Sequence, residues 1–264
     1  MLISEGDGRI KVGKFTFRED LIVIAGPCAI ETLEQMEGIA EALLSRNIHF
    51  LRAAPFKPRT SPYSFQGLGE EGLEIIRKLK ELYPIHVVGE IVDSRDLPVY
   101  SSLFDIIQVG ARNMQNFELL KALGKANRPV LLKRGFGNTV EEWLYAAEYL
   151  HKYGNREVIL CERGIRTFEP QTRNTFDVSS IPLARKRTEL PILADPSHAA
   201  GRRDLIAPLS FAAVAAGADG LLIEVQADPD SAWSDARQTI SLEEFDAILA
   251  VLKKLAPLFG KRFD

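Results

Sequence analysis

Eight short apolar runs, each followed by a segment of helical period, constrain this chain more than any other feature. The runs are LIVIA (21–25), IHFL (48–51), IHVVGEI (85–91), FDIIQV (104–109), PVLL (129–132), EVILC (157–161), PILA (191–194) and DGLLIEV (219–225). They are short, rich in β-branched residues and largely apolar, as strands buried on both faces are. Between them lie amphipathic segments such as TLEQMEGIAEALLSR (32–46), EEGLEIIRKLKELY (70–83), TVEEWLYAAEYLHKY (139–153) and SLEEFDAILAVLKKL (241–255). Several of these open on a Thr or Ser followed by Glu, a helix-start signal. Alternating strands and helices predict an α/β protein with a parallel sheet. Eight repeats in 264 residues favour closure into a (β/α)8 TIM barrel, which takes about 250 residues, over an open sheet. A short alternating stretch, RIKVGKFTF (9–17), predicts a β-hairpin. Residues 1–20 are then expected to cap the N-terminal end of a barrel formed by 21–264.

Charge and cysteine usage narrow the partners. The formal net charge is −3, so nothing global attracts nucleic acid or an anionic membrane, and any basic site must be local. No 18-residue apolar run and no apolar leader is present, so neither a membrane span nor a secretion signal is expected. Two cysteines, Cys28 and Cys161, make no disulfide framework and fit a reducing cytoplasm.

Each predicted strand delivers an ionisable group at its C-terminal end. In chain order these are Cys28; Arg52, then Lys57 and Arg59; Glu90; Arg112; Lys133 and Arg134; Arg163 and Arg166; Asp195 and His198; and Glu224. In a barrel those ends share one face, the face that carries active sites. Taken singly, such a cysteine is most often a small buried hydrophobe, and His49, His86 and His151 read as structural. Taken together, the groups sort into two chemistries. Arg52, Lys57, Arg59, Arg112, Lys133 and Arg163 make a cationic pocket suited to phosphate or carboxylate, which the guanidinium fork binds with two parallel hydrogen bonds. Cys28, His198, Glu224 and a carboxylate from QADPDSAWSDARQT make a mixed S/N/O set that suits a divalent transition ion better than magnesium or calcium. The stretch RAAPFKPRTSPYSFQG (52–67) is longer than a connection needs and carries three cations, which points to an anionic ligand.

At FKPRTSPYSFQG the chain resembles the Lys-Pro-Arg-Thr-Ser loop of 3-deoxy-D-arabino-heptulosonate 7-phosphate (DAHP) synthases. The likeness continues through AGPCAIE (25–31), RAAPFKPRTS (52–61), GLGEEGL (67–73), GARNMQN (110–116), LLKRG (131–135), ERGIRT (162–167), DPSHAAG (195–201) and IEV (223–225). The resemblance implies a (β/α)8 barrel that condenses phosphoenolpyruvate with erythrose 4-phosphate and water, releasing phosphate, at the start of the shikimate pathway. It implies one divalent metal ion (Mn, Fe, Co or Zn) on Cys28, His198, Glu224 and Asp235, with Asp228 and Asp230 in the same loop as alternatives to the last. It implies phosphoenolpyruvate binding by Arg112, Lys133 and Arg163, with Arg52, Lys57 and the Gly110–Ala111 backbone beside them. Arg59, Thr60 and Ser61 match the part that meets the aldose phosphate. Lys57 is the expected proton donor, and Glu90 is expected to position water.

Two alternatives stay open. One is the sister 3-deoxy-D-manno-octulosonate 8-phosphate synthase, which uses arabinose 5-phosphate and whose loop reads Lys-Ala-Asn-Arg-Ser. Pro58 directly before Arg59 favours the four-carbon aldose. The other is a catalytically silent barrel that regulates a chorismate mutase, against which every matched position holds a competent residue type. The resemblance further implies a homo-oligomer, tetramer or dimer, and leaves a chorismate mutase partner open. Only about 20 residues precede the first strand, so the aromatic amino acids are not expected to inhibit.

Overall fold

The same alternation that makes the runs apolar on both sides builds two separate cores. The computed structural model describes residues 2–59 and 61–263. Strands β1 (Lys11–Val12) and β2 (Phe15–Thr16) pair antiparallel. The remaining strands are β3 (Ile22–Gly26), β4 (Phe50–Arg52), β5 (His86–Ile91), β6 (Ile106–Val109), β7 (Val130–Lys133), β8 (Val158–Glu162), β9 (Ile192–Ala194) and β10 (Gly220–Glu224). These eight close into a barrel in the order β10-β3-β4-β5-β6-β7-β8-β9, and every pairing in it is parallel. All eight sequence runs contribute a strand, and the expected (β/α)8 barrel is the fold.

Helices follow the strands: α1 (Leu33–Leu44), α2 (Glu70–Leu82), α3 (Leu97–Leu103), α4 (Phe117–Leu123), α5 (Val140–Lys152), α6 (Ser180–Arg185), α7 (Pro196–Ala200), α8 (Ile206–Ala215) and α9 (Leu242–Leu255). Helices α5 and α9 start on reciprocal capping boxes, Thr139 with Glu142 and Ser241 with Glu244, which satisfy two otherwise orphaned amides at each end. The short α7 interrupts the one-helix-per-strand rhythm. It begins on Pro196 directly after β9, and Asp195 caps it by accepting the His198 amide at 2.9 Å. No helix among the described residues is long and apolar enough to cross a membrane.

Side chains alternate across each strand. Val23, Leu51, Val87, Ile107, Val130, Leu160 and Leu221 point outward and join the helices in the larger core. Ile24, Phe50, Val88, Ile106, Leu131, Ile159, Leu193 and Leu222 fill the lumen. The hairpin seats Ile10, Val12 and Phe17 in that same lumen cluster. Its Phe15 ring lies 5.2 Å from the rings of both His49 and Phe50. Gly13 makes this turn fit: its φ is +57°, and a Cβ there would fall 2.3 Å from His86 Nε2.

Parity sets where the apolar lumen stops. Two residues beyond Phe50, Val88, Ile106, Leu131 and Leu222 come Arg52, Glu90, Gln108, Lys133 and Glu224, so one step of the pleat replaces an apolar layer with a charged and polar one. The long segment between β4 and α2 then leaves the mouth as a loop pinned at its base. Lys57 N–H donates to the Gln66 carbonyl at 2.8 Å and Gly69 N–H to the Pro55 carbonyl at 2.9 Å.

The outer core has no slack at Gly89, where a Cβ would lie 2.0 Å from Phe104 Cε1. Gly89→Ala should lower the urea midpoint by an amount equivalent to about 1–3 kcal/mol, the usual cost of overpacking. The double variant Gly89→Ala/Phe104→Leu should recover most of it. An unchanged midpoint for the single variant would mean that the β5–α3 packing is looser than drawn.

Candidate active site

Three carboxylates on or next to the strand ends set the electrostatics of the mouth. Glu224, fully buried, accepts Arg52 Nη1 at 2.8 Å and Gln238 Nε2 at 2.6 Å. Asp195, also fully buried, accepts His198 Nδ1–H at 2.8 Å and Lys133 Nζ at 2.5 Å. Asp235, on the loop after β10, accepts Lys57 Nζ at 2.5 Å and Arg173 Nη1 at 3.3 Å. Desolvation alone would raise all three pKa values. Facing cations and donors reverse the sign: the His198 ring N–H and the Lys133 ammonium hold Asp195 down, Arg52 holds Glu224 down, and Lys57 holds Asp235 down. All three are ionised at neutral pH.

His198 is the reverse case. Burial pushes it down to about 4 against the pull of Asp195 and Glu224, so its imidazole is neutral at pH 7. The Asp195 contact places the one proton on Nδ1 and leaves the Nε2 lone pair facing the mouth. That Nε2 lies 3.2 Å from Glu224 Oε1 and 3.8 Å from Cys28 Sγ. A cation between acceptors this close would offset their repulsion.

The residues fit a divalent metal on that ground. One donor atom from each of Cys28, His198, Glu224 and Asp235 lies within 4.8 Å of the others. The partner on His198 Nδ1 follows the carboxylate–histidine arrangement that orients metal ligands, and Gln238 fixes the second oxygen of Glu224 in the same way. Burial, with Glu224 beside it, pushes the Cys28 thiol up to about 12. Such a thiol ionises only with strong positive charge next to it, the condition a coordinated ion meets. The three candidate aspartates of the loop are separated by the fold. Asp235 joins the cluster, Asp230 pairs with Arg203 at 2.8 Å, and Asp228 precedes a surface turn.

Beside the cluster opens a cleft of about 220 Å³. Lys57, Arg59, Ser61, Glu90, Gly110, Ala111, Arg112, Lys133 and Arg163 all line it, together with Cys28, His198 and Asp235. Arg52 lies beneath the cleft rather than along its wall, directed at Glu224 and, at 3.5 Å, at Cys28 Sγ. Thr60 lies outside the described residues. Glu90 Oε2 accepts Gln108 Nε2 at 3.0 Å, and its approach to the wall requires glycine at 110, where a Cβ would fall 2.0 Å from Glu90 Oε1. Lys57 is kept protonated: burial would lower its pKa, but Cys28, Glu224 and Asp235 raise it. Arg163 is different in kind. Its recorded hydrogen bonds go to the carbonyls of Gly164 (3.3 Å) and His198 (3.2 Å), and burial lowers its pKa to about 10.

Several contributors escape a reading based on strand ends. Arg173 and Phe136 line the cleft from loops, and Gln238 and Ser234 come from the loop after β10. Arg173 arrives by a turn closed by the Ile165–Thr175 bridge, with its own N–H on the Ala200 carbonyl at 2.9 Å. Nothing in TRNTF marks that arginine as different from a solvated one.

Comparison with known proteins places this architecture. Residues 7–259 match the model of the DAHP synthetase I family. A phospho-2-dehydro-3-deoxyheptonate aldolase of Thermotoga maritima is 51% identical over 263 residues, which is all of this chain and 76% of that protein. A 2-dehydro-3-deoxyphosphooctonate aldolase of Geobacter sulfurreducens is 32% identical, covering 94% of this chain and 96% of that one. The crystal structure of the Thermotoga maritima phospho-2-dehydro-3-deoxyheptonate aldolase (DAHP synthase) superposes with a TM-score of 0.93 at 49% identity, over 97% of this chain and 76% of that chain.

Asp195 orients His198 without being one of the four donors. Asp195→Asn should therefore weaken binding of Mn²⁺ or Co²⁺ by about 10–100-fold in a calorimetric titration, the usual effect of removing such a partner. Unchanged affinity would show that His198 Nε2 does not bind the ion.

Proposed function

The chain belongs to the DAHP synthetase I family, and from that premise we infer which residues of the mouth carry each part of the chemistry. Its reaction is that of a DAHP synthase: phosphoenolpyruvate, erythrose 4-phosphate and water give DAHP and inorganic phosphate. The observation that carries the assignment of roles is the four-donor cluster set against one wall of a cationic cleft.

Phosphoenolpyruvate carries a phosphate and a carboxylate, and Arg112, Lys133 and Arg163 are the residues suited to hold them. Arg52 acts from below, and the Gly110–Ala111 backbone flanks the site. Arg59 and Ser61, with Thr60, receive the phosphate of the aldose at the outer end of the loop. This division explains a loop with three cations: Lys57 faces inward to Asp235, while Arg59 faces the cleft with its guanidinium 3.8 Å from that carboxylate. Cys28, His198, Glu224 and Asp235 would hold a divalent transition ion, Mn, Fe, Co or Zn by the chemistry of the donors. When bound, it supplies Lewis acidity toward the aldehyde oxygen.

The methylene carbon of phosphoenolpyruvate attacks the aldehyde carbon, and the new alkoxide takes a proton from Lys57, whose ammonium is stabilised by Cys28, Glu224 and Asp235. Positive character develops on the central carbon of the enolpyruvate. Water, held by Glu90, adds there as its released proton restores the Lys57 ammonium. The hemiketal hydroxyl passes its proton to the departing phosphate as the carbon–oxygen bond breaks and the keto group forms. Holding two anions against fixed cations removes much of the cost of bringing them together. The family resemblance also supports a homo-oligomer, dimer or tetramer, with a chorismate mutase as a candidate partner. Two buried cysteines, both free, accord with a cytoplasmic setting.

The 32% likeness to a 2-dehydro-3-deoxyphosphooctonate aldolase gives the five-carbon sugar its standing as the second reading. The assay is phosphoenolpyruvate consumption by chelator-stripped protein with erythrose 4-phosphate or arabinose 5-phosphate, before and after Mn²⁺. Turnover should favour the four-carbon sugar. It should fall by at least about 100-fold on stripping and return with the ion, since the Lewis acid contributes several kcal/mol. Equal use of arabinose 5-phosphate would overturn the reading of Pro58–Arg59, and full activity after stripping would remove the metal from the reaction.

A further inference from the structure

One aromatic ring at the cleft faces three arginines. The guanidinium carbons of Arg163, Arg166 and Arg112 lie 4.7, 4.8 and 5.4 Å from the centroid of Phe136. Arg112 follows β6, Phe136 follows β7, and Arg163 and Arg166 follow β8, so the ring sits on the middle loop of three neighbours. Its backbone is held on both sides. Gly135 N–H donates to Met114 Sδ at 3.0 Å, and the Phe136 carbonyl accepts Arg166 N–H at 2.7 Å.

The spacing keeps every pair of these guanidinium groups within about one Debye length at 0.1 M salt. A carboxylate could offset their repulsion, as Glu224 does for Arg52 and Asp195 does for Lys133. Arg163, only 2% exposed, makes no ion pair among the described residues. What it has instead is two carbonyl oxygens and the Phe136 ring. The face of a phenyl ring carries partial negative charge and attracts a guanidinium without a full charge of its own. It therefore holds the Arg163 guanidinium in place without neutralising it for an incoming anion.

We propose that Phe136 is the positioning residue of the phosphoenolpyruvate anion site, acting through Arg163 and Arg112, which line the cleft with it. This rests on the reading that Arg112 and Arg163 bind phosphoenolpyruvate. A carboxylate at position 136 would hold the same arginines but compete with the phosphate for them. An aliphatic residue would fill the same space but leave the guanidinium groups to repel one another apart.

The test separates ring from bulk. Phe136→Leu keeps apolar volume and removes the ring; Phe136→Tyr keeps the ring. For Phe136→Leu, KM for phosphoenolpyruvate should rise about 3–30-fold, the range spanned by cation–π contacts from exposed to desolvated. Competitive inhibition by inorganic phosphate should weaken by a similar factor, while KM for erythrose 4-phosphate stays within about twofold. Phe136→Tyr should restore the KM for phosphoenolpyruvate. An unchanged KM for phosphoenolpyruvate in Phe136→Leu would overturn the proposal. So would a rise in both KM values with a lowered thermal midpoint, the signature of lost packing alone. Arg163→Gln tells the two levels apart. If it raises KM for phosphoenolpyruvate while Phe136→Leu is silent, only the role of Phe136 falls. If it leaves that KM unchanged, the anion site itself has been misassigned.

Discussion

Burying an ionised carboxylate is costly unless charge and hydrogen bonds replace the lost water, and Glu224 meets that condition at the centre of the mouth. Its partners come from other elements: Arg52 from β4 and Gln238 from the loop after β10. Its own N–H donates to Ser197 Oγ at 3.0 Å. Removing any one partner leaves a buried charge short of compensation, so these groups hold one another in register. Asp195 does the same on the next strand, where one carboxylate serves the His198 ring, the His198 amide and the Lys133 ammonium. The geometry of the donor cluster is thus a by-product of neutralising two buried carboxylates.

The cations of the mouth divide accordingly. Arg52, Lys57 and Lys133 each face a carboxylate and stay near the donor cluster. Arg163 faces carbonyl oxygens and an aromatic ring. The first group is electrostatically settled, and within it Arg52 and Lys57 are placed to support the donor cluster. The second carries positive charge still available to a ligand, which is what a dianionic substrate requires. A cleft lined only by neutralised cations would bind phosphate weakly, and one lined only by unpaired cations would not pack. Both kinds line the same small cavity, Lys133 and Arg163 at the ends of the adjacent strands β7 and β8.

Much of this was legible in the sequence because a parallel barrel turns strand order into geometry. The runs ending at Arg52, Glu90, Lys133 and Glu224 place those side chains in one layer by parity alone, and Cys28 and His198 follow their strands closely enough to share it. Where the chain leaves that periodic frame, the reading weakens. Choosing Asp235 over Asp228 and Asp230 needs the path of an irregular loop, in which Arg203 takes Asp230 away. Arg173 and Gln238 lie on loops beyond the strand ends, and Phe136 is an aromatic in a glycine-flanked turn whose partners come from two other loops. Arg52 was legible as a cation of the mouth, but only its distance to Glu224 shows that it points at the donor cluster. The separate helix α7 was invisible because DPSHAA is too short to show a period.

Asp235 is the donor with the least regular support, and its surroundings explain how it is nevertheless fixed. It sits in left-handed backbone conformation at φ +58°, a cost for a residue with a side chain that must be met by its neighbours. Lys57 and Arg173 hold its carboxylate. Two residues upstream, the Trp233 N–H donates to Glu31 at 2.8 Å, and the Trp233 ring packs edge-on against Phe65 at 5.2 Å. Glu31 belongs to the loop of Cys28, and Phe65 to the loop of Lys57 and Arg59. The loop that brings the fourth donor is therefore tied to the loop of the first donor and to the loop of Lys57 and Arg59. Any movement of the Lys57–Arg59 segment is felt at Asp235 through Lys57 and through the Phe65–Trp233 contact. The Lys57–Arg59 segment and the donor cluster are in this way joined by side-chain contacts, although no strand of the barrel connects them.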